Sequence, residues 1–172
     1  MSSDLPLLLV DVDGVLSLFG FDAVAPPSGR MALIDGVPHL LSLQAAATLR
    51  SVGDRYACAW CTGWEERADE HLPWLLDLPR GWPHVPLSAA RAPGQGIAGH
   101  WKLDAIDAFA VPGRPLAWVD DALDGECRAW AAARAGPTLL VECDPAIGLV
   151  KEGEEALLRF AASVMPRSGS AG

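Results

Sequence analysis

Leu-Leu-Leu-Val-Asp-Val-Asp-Gly-Val-Leu, residues 7–16, places four apolar residues directly before two aspartates one residue apart, with a glycine behind them. Leu7 to Val10 run without a polar break, which predicts a strand buried on both faces, as in a parallel sheet covered by helices. The carboxyl end of such a strand is where open α/β sheets bind ligands. Period-two alternation lets Asp11 and Asp13 point the same way while Val12 turns back into the core. Two carboxylates so close repel each other unless a cation or a shared proton compensates them. An acidic turn is the plain alternative, since Asp is frequent in turns. The chemical one is a metal-assisted phosphoryl-transfer site.

Working outward, residues 15–36 are rich in turn formers (Pro26, Pro27, Gly29, Asp35, Gly36) between apolar patches and predict an extended flap or hairpin. Helical spacing of Val37, Leu40, Leu41, Ala45, Thr48 and Val52 predicts a helix over 37–52, closed by Gly53-Asp54. A second strand runs from Tyr56 to Cys61 and ends at Thr62-Gly63. Glu65 and Glu66 suit the first turn of the next helix, whose buried face is Ala68, Leu72, Leu75 and Leu76 and which Pro73 should distort. A short third strand is expected over His84–Ser88, followed by a loop over 89–99 and a helix carrying Leu103, Ile106 and Phe109. Pro115–Val119 makes a fourth strand running into Asp120-Asp121. A helix from Leu123 to Arg134 stops at Gly136-Pro137, Thr138–Glu142 is a fifth strand, and a last helix covers Glu152 to about Val164. Alternating strands and helices predict an α/β, three-layer, Rossmann-like doubly wound sheet of about five parallel strands. The expectation is one catalytic domain over 1–165, with 166–172 as a flexible tail.

Composition narrows the function classes. Hydrophobic residues make up 51% and charged residues 20%, as in globular proteins, and no apolar run reaches the ~18 residues of a membrane span. The start, MSSDLP, has no basic region ahead of an apolar core, so no secretory signal is expected. A net charge of -9 opposes a broad grip on a nucleic-acid backbone. Four irregularly placed cysteines make no disulfide framework and point to a reducing, cytoplasmic setting. Cys58-Ala-Trp-Cys61 spells a redox or zinc pair, but inside a strand residues three apart face opposite sides, and free Cys is more often a small buried hydrophobe.

Three further features fall at element ends, in order. Thr62 closes Ala-Trp-Cys-Thr, where a plain helix N-cap is the alternative. Lys102, one of two lysines against eleven arginines, begins an apolar helix, where a snorkelling surface lysine is the alternative. Asp120-Asp121 follow a buried strand, and Asp124 competes with Asp121 as the second acidic partner. Together with Asp-Val-Asp-Gly-Val at 11–15 the chain resembles the haloacid dehalogenase superfamily of phosphohydrolases, of a capless or minimal-cap type. The segment Glu142-Cys-Asp-Pro-Ala-Ile-Gly-Leu149 also resembles a stretch of poorly characterised members and has no role assigned by the resemblance.

The resemblance implies a Mg²⁺-dependent phosphomonoester phosphatase. Asp11 would be the nucleophile forming an aspartyl-phosphate, and Asp13 the general acid and base. Asp11, Asp13 (through its backbone carbonyl) and Asp120 would hold magnesium, supported by Asp121. Thr62 and Lys102, with Gly14 and Gly63, would bind the phosphoryl group. An aspartate at position 13 goes with phosphatases and mutases rather than dehalogenases. Neither 14–61 nor 63–101 has room for a cap domain of ~50 residues, so the flap alone, with a neighbouring subunit in a homo-oligomer, should roof the site and admit a bulky phosphorylated substrate. Two rivals remain. One is a non-catalytic phospho-acceptor or binding module on the same fold. The other is a dinucleotide-binding protein using Gly94-Gln-Gly96-Ile-Ala-Gly99 with Asp120 downstream, although residues 89–93 separate those glycines from the preceding strand. The seven tryptophans, including Trp60, Trp64 and Trp101 near the motifs, are read as packing residues or as stackers of a substrate ring.

Overall fold

A computed structural model describes residues 5–90 and 100–165. The apolar run at 7–10 is strand β1 (Leu7–Val10), with all four residues buried. It pairs in parallel with β5 (Ala57–Trp60) on one side and β6 (Leu116–Asp120) on the other, and β7 (Thr138–Glu142) adds to β6. The order β5-β1-β6-β7 puts β1 at the point where the winding reverses, so the crevice beyond its carboxyl end is the expected ligand position.

Alternation along each strand divides the core into two layers. Leu8, Val10, Cys58, Trp60, Ala117, Val119 and Val141 face one side, against Ala45, Ala46, Leu49 and Val52 of α1 (Leu43–Val52), Ala68, Leu72 and Leu76 of α2 (Glu66–Leu76), and Leu157 and Ala161 of α6 (Lys151–Val164). Leu7, Leu9, Ala59, Cys61, Leu116 and Trp118 face the other, against Ala105 and Ile106 of α4 (Leu103–Phe109) and Cys127 of α5 (Gly125–Ala133). The fold is therefore α/β in three layers, Rossmann-like. Burying each large apolar side chain stabilises it by about 1.5–3 kcal/mol. Cys58 and Cys61 fall in opposite layers, and all four cysteines are buried and free. Burial pushes the Cys58 thiol up to about 12, which makes it inert at neutral pH.

Four expectations need correction. Among the described residues the parallel sheet has four strands rather than about five. The stretch His84–Ser88 contributes only a single bridge, His84 opposite Trp60, with Trp60 N–H donating to Pro83 O and Val85 N–H to Trp60 O, both at 2.8 Å. Pro83 and Pro86 flank it, and without their N–H groups the ladder cannot extend. The chain turns at once into the short helix α3 (Leu87–Ala90).

The predicted helix over 37–52 begins too early. Val37–Leu41 is strand β4, and only Leu43 onward is helical, with the Ser42 hydroxyl capping it by accepting from Ala45 N–H at 3.1 Å. Strand β4 pairs antiparallel with β3 (Arg30–Ile34) and β2 (Ser17–Leu18). The insertion expected as an extended flap or hairpin over 15–36 is a three-stranded sheet that reaches from 17 to 41. Asp35 and Gly36, with φ of 49° and 81°, form the two-residue turn between Ile34 and Val37.

Helix α5 is shorter than expected, Gly125–Ala133, because Asp124 is its cap and accepts from Cys127 N–H at 2.9 Å. The Gly94–Gly99 pattern and the 166–172 tail lie outside the described residues.

Candidate active site

Three neighbouring parallel strands end together, and each delivers one sequence-predicted residue. Asp11 follows β1, Thr62 follows β5, and Asp120 is the last residue of β6. All three are buried, Asp120 completely. Lys102, at the start of α4, enters from the side, and its ammonium donates to Asp11 Oδ2 at 2.7 Å, Asp120 Oδ2 at 2.6 Å and Cys61 O at 3.0 Å. These use all three of its donors. At 3% exposure it is no snorkelling surface lysine.

Backbone and indole groups fix the two carboxylates further. Val12 N–H donates to Asp11 Oδ1 at 2.7 Å, Ala122 N–H to Asp120 Oδ1 at 2.9 Å, and Trp118 Nε1–H to Asp120 Oδ2 at 3.2 Å. Asp121 completes the cluster: one carboxylate oxygen from each of Asp11, Asp120 and Asp121 lies within 4.8 Å of the others. Such an all-oxygen set suits a hard cation such as Mg²⁺. Asp124 is committed to the α5 cap, which leaves Asp121 as the second acidic partner.

The electrostatics follow from burial. Desolvation drives the Asp11 carboxyl up to about 7; Lys102 pulls it down and Asp120 pushes it up again. Burial works against the Lys102 ammonium, yet Asp11 and Asp120 outweigh it and hold its pKa above the ordinary lysine value. Asp121 is raised, first by burial and then by Asp120. Burial and the neighbouring carboxylate thus hold both Asp11 and Asp121 toward their protonated forms.

Asp13 is not in the three-carboxylate cluster. Its side chain is exposed and Oδ2 accepts from Trp64 Nε1–H at 2.9 Å. Gly14, expected to bind substrate, has a visible structural reason for being glycine. Its φ is +74°, and a Cβ there would lie 2.4 Å from the Asp121 carboxyl carbon. Thr62 is not the helix cap either, because α2 begins at Glu66 with Glu65 in the cap position, and Thr62 Oγ1 accepts from Trp64 N–H at 3.4 Å. Gly63 borders a pocket of about 200 Å³ lined also by Glu65, Leu87, Ser88 and Trp101.

Sequence reading missed how the tight turn after Asp13 is held. Leu16 and Ser17 N–H both donate to Val12 O at 2.8 Å, and Gly14 N–H donates to Ser17 O at 2.8 Å. The 142–149 segment braces this turn from behind: Phe19 N–H donates to Pro145 O and Leu149 N–H to Val15 O. A Cβ on Gly148 would sit 2.4 Å from Val15 O. The signal was a glycine in an otherwise uninterpreted motif.

No protein-family model and no curated protein matches the chain. Among the solved structures that resemble it distantly are the following two. One is a hypothetical protein from Xanthomonas campestris, with 14% identity over 94% of this chain and 86% of that one, at TM-score 0.47. The other is described as a putative 3-deoxy-D-manno-octulosonate 8-phosphate phosphatase from Vibrio cholerae, with 14% identity over 95% of this chain and 89% of that one, at TM-score 0.45.

Proposed function

We propose that the protein is a Mg²⁺-dependent phosphomonoester phosphatase of the haloacid dehalogenase type, working through an aspartyl-phosphate on Asp11. The observation that carries this reading is the meeting of Asp11, Asp120 and Asp121 within 4.8 Å at adjacent strand ends, with the Lys102 ammonium between the first two. Lone acidic turns do not bury a lysine among them.

In this mechanism a carboxylate oxygen of Asp11 attacks phosphorus as the bond to the leaving oxygen breaks, and Asp13 gives that oxygen its proton. Asp13 then takes a proton from the water that cleaves the acyl phosphate, which frees inorganic phosphate and restores Asp11. Thr62 holds a phosphoryl oxygen, and the N–H of Gly63 lies in the same loop. Lys102, whose three N–H groups go to Asp11, Asp120 and Cys61 O, offsets the charge between nucleophile and phosphoryl group. Asp11, Asp120 and Asp121 would hold the metal, with the Asp13 carbonyl as a further oxygen. Bound there, Mg²⁺ supplies the charge that offsets the phosphoryl oxygens. Because the 17–41 insertion is a small sheet rather than a separate domain, the same reading extends to a bulky phosphorylated substrate.

The test is leaving-group release from an aryl phosphate with Mg²⁺, for the wild type and for Asp11→Asn. The wild type should turn over with Mg²⁺ and stop with chelator, and Asp11→Asn should fall by at least about a thousandfold. Retained activity in Asp11→Asn sinks the covalent route. One stoichiometric phosphorylation without turnover favours the phospho-acceptor instead.

A further inference from the structure

Asp13 stands apart from the buried carboxylates, and what holds it is a tryptophan about fifty residues away. Trp64 Nε1–H donates to Asp13 Oδ2 at 2.9 Å. Trp64 is itself held by three contacts. Its backbone N–H reaches Thr62 Oγ1, its ring meets the His39 ring edge-on at 5.0 Å, and the Arg67 guanidinium lies 5.8 Å from its centroid. His39 belongs to β4 of the flap, and its Nδ1 lies 2.8 Å from the buried Ser17 hydroxyl at the start of β2. A continuous set of contacts therefore runs from the flap, through Trp64, to Asp13.

We infer that Trp64 is a positioning residue for proton transfer, aiming the Asp13 carboxyl at the leaving oxygen. The inference rests on the phosphatase reading above and adds to it a residue that does not touch the substrate phosphoryl group. An indole N–H only donates, so the oxygen it binds, Oδ2, must accept. When Asp13 carries its proton, that proton sits on Oδ1. As the phosphorus–oxygen bond breaks, the Oδ1 proton passes to the leaving oxygen and Asp13 is left as a carboxylate, its new charge stabilised by the Trp64 N–H. Without that hydrogen bond the exposed carboxyl turns freely about its terminal bond, and either oxygen carries the proton in many orientations. Positioning of this kind matters most where the leaving group needs its proton early.

The experiment is single-turnover release of leaving groups from aryl and alkyl phosphates spanning a range of leaving-group pKa. It uses the full chain with Mg²⁺ and compares wild type, Trp64→Phe, Asp13→Asn and the double variant. Trp64→Phe keeps a smaller aromatic ring against His39 and removes the N–H. It should slow alkyl phosphates about tenfold or more and activated aryl phosphates about threefold or less, so that log rate falls more steeply with leaving-group pKa. In the Asp13→Asn background, the Trp64→Phe change should leave that slope where Asp13→Asn put it. Equal losses across the series, or a steeper slope from Trp64→Phe that persists without Asp13, overturn the inference and reduce Trp64 to a packing residue. A wild type that releases no leaving group overturns the phosphatase reading and this inference with it. A working wild type with an unaltered slope in Trp64→Phe overturns this inference alone.

Discussion

On the floor of the site the Lys102 ammonium lies 2.7 Å from Asp11 and 2.6 Å from Asp120, with its side chain 4% exposed. At the rim Arg67 of α2 pairs with Asp35 of the flap turn, and about half of each side chain lies in water. Both are ion pairs, yet they do different things. The floor takes three charges out of water, a large penalty offset only while every partner stays in place. That makes the floor unable to rearrange cheaply, as the proposed attack on a phosphorus atom would require. The rim gives up little solvation and gains little, so it can shift at little cost. The strand ends hold rigid, buried charge, and the Arg67–Asp35 pair at the flap turn is the part free to shift.

The largest expected effect breaks the floor. Lys102→Met should destabilise the fold by about 3–5 kcal/mol in urea titration, because Asp11 and Asp120 are left buried without a counter-charge. Since Asp11 and Asp120 hold the Lys102 pKa above its ordinary value, its stabilising contribution is present at every pH below the ordinary lysine value. It is lost only as the pH rises through the raised one. The wild-type advantage should accordingly persist across neutral pH. A loss under 1 kcal/mol would mean the floor behaves like a surface pair.

A second prediction separates the cost of the Asp11 charge from its use. Its pKa is raised from 3.8 to about 7, so between those values the folded state binds more protons than the unfolded one. Stability should therefore fall as the pH rises from about 4 to 7. Asp11→Asn cannot ionise and should escape that fall. In chelator, its stability relative to wild type should improve by on the order of 2–4 kcal/mol between pH 4 and pH 8. A difference that is flat with pH would show that Lys102 fully compensates the Asp11 charge.

The floor was legible in the sequence and the rim was not, for a physical reason. Asp11, Thr62 and Asp120 each close an apolar run long enough to be a buried strand, and parallel strands necessarily end together. Lys102 stood out because it is one of two lysines. The rim depends on the path of short segments. Val37, Leu40 and Leu41 fit helical spacing and, with Leu40 and Leu41 adjacent, show no strand alternation, so the outcome turned on Asp35-Gly36, whose two positive φ values close a hairpin. Ser42 then caps the helix that was expected six residues earlier. The Asp13–Trp64 contact needs the 61–65 loop to take one course, with Glu65 at φ of 49°, and no periodicity encodes that.

The smallest effect belongs to the rim pair itself. Arg67 and Asp35 are each about half exposed, and His71 lies 3.7 Å from the same carboxylate, offering it another partner. Exposed pairs contribute about 0–1 kcal/mol and are screened by salt. The flap is seated mainly by buried side chains, Leu18, Ile34, Leu40 and Leu41, which Arg67 does not supply. Arg67→Ala should therefore lower stability by less than about 1 kcal/mol, and the difference should shrink further in ~0.5 M salt. Because Arg67 also lies over the Trp64 ring, the same variant should steepen the leaving-group dependence slightly, and less than Trp64→Phe does. A stability loss above about 2 kcal/mol, insensitive to salt, would show that this pair rather than the apolar seat anchors the flap, and the division between a rigid floor and an adjustable rim would have to be redrawn.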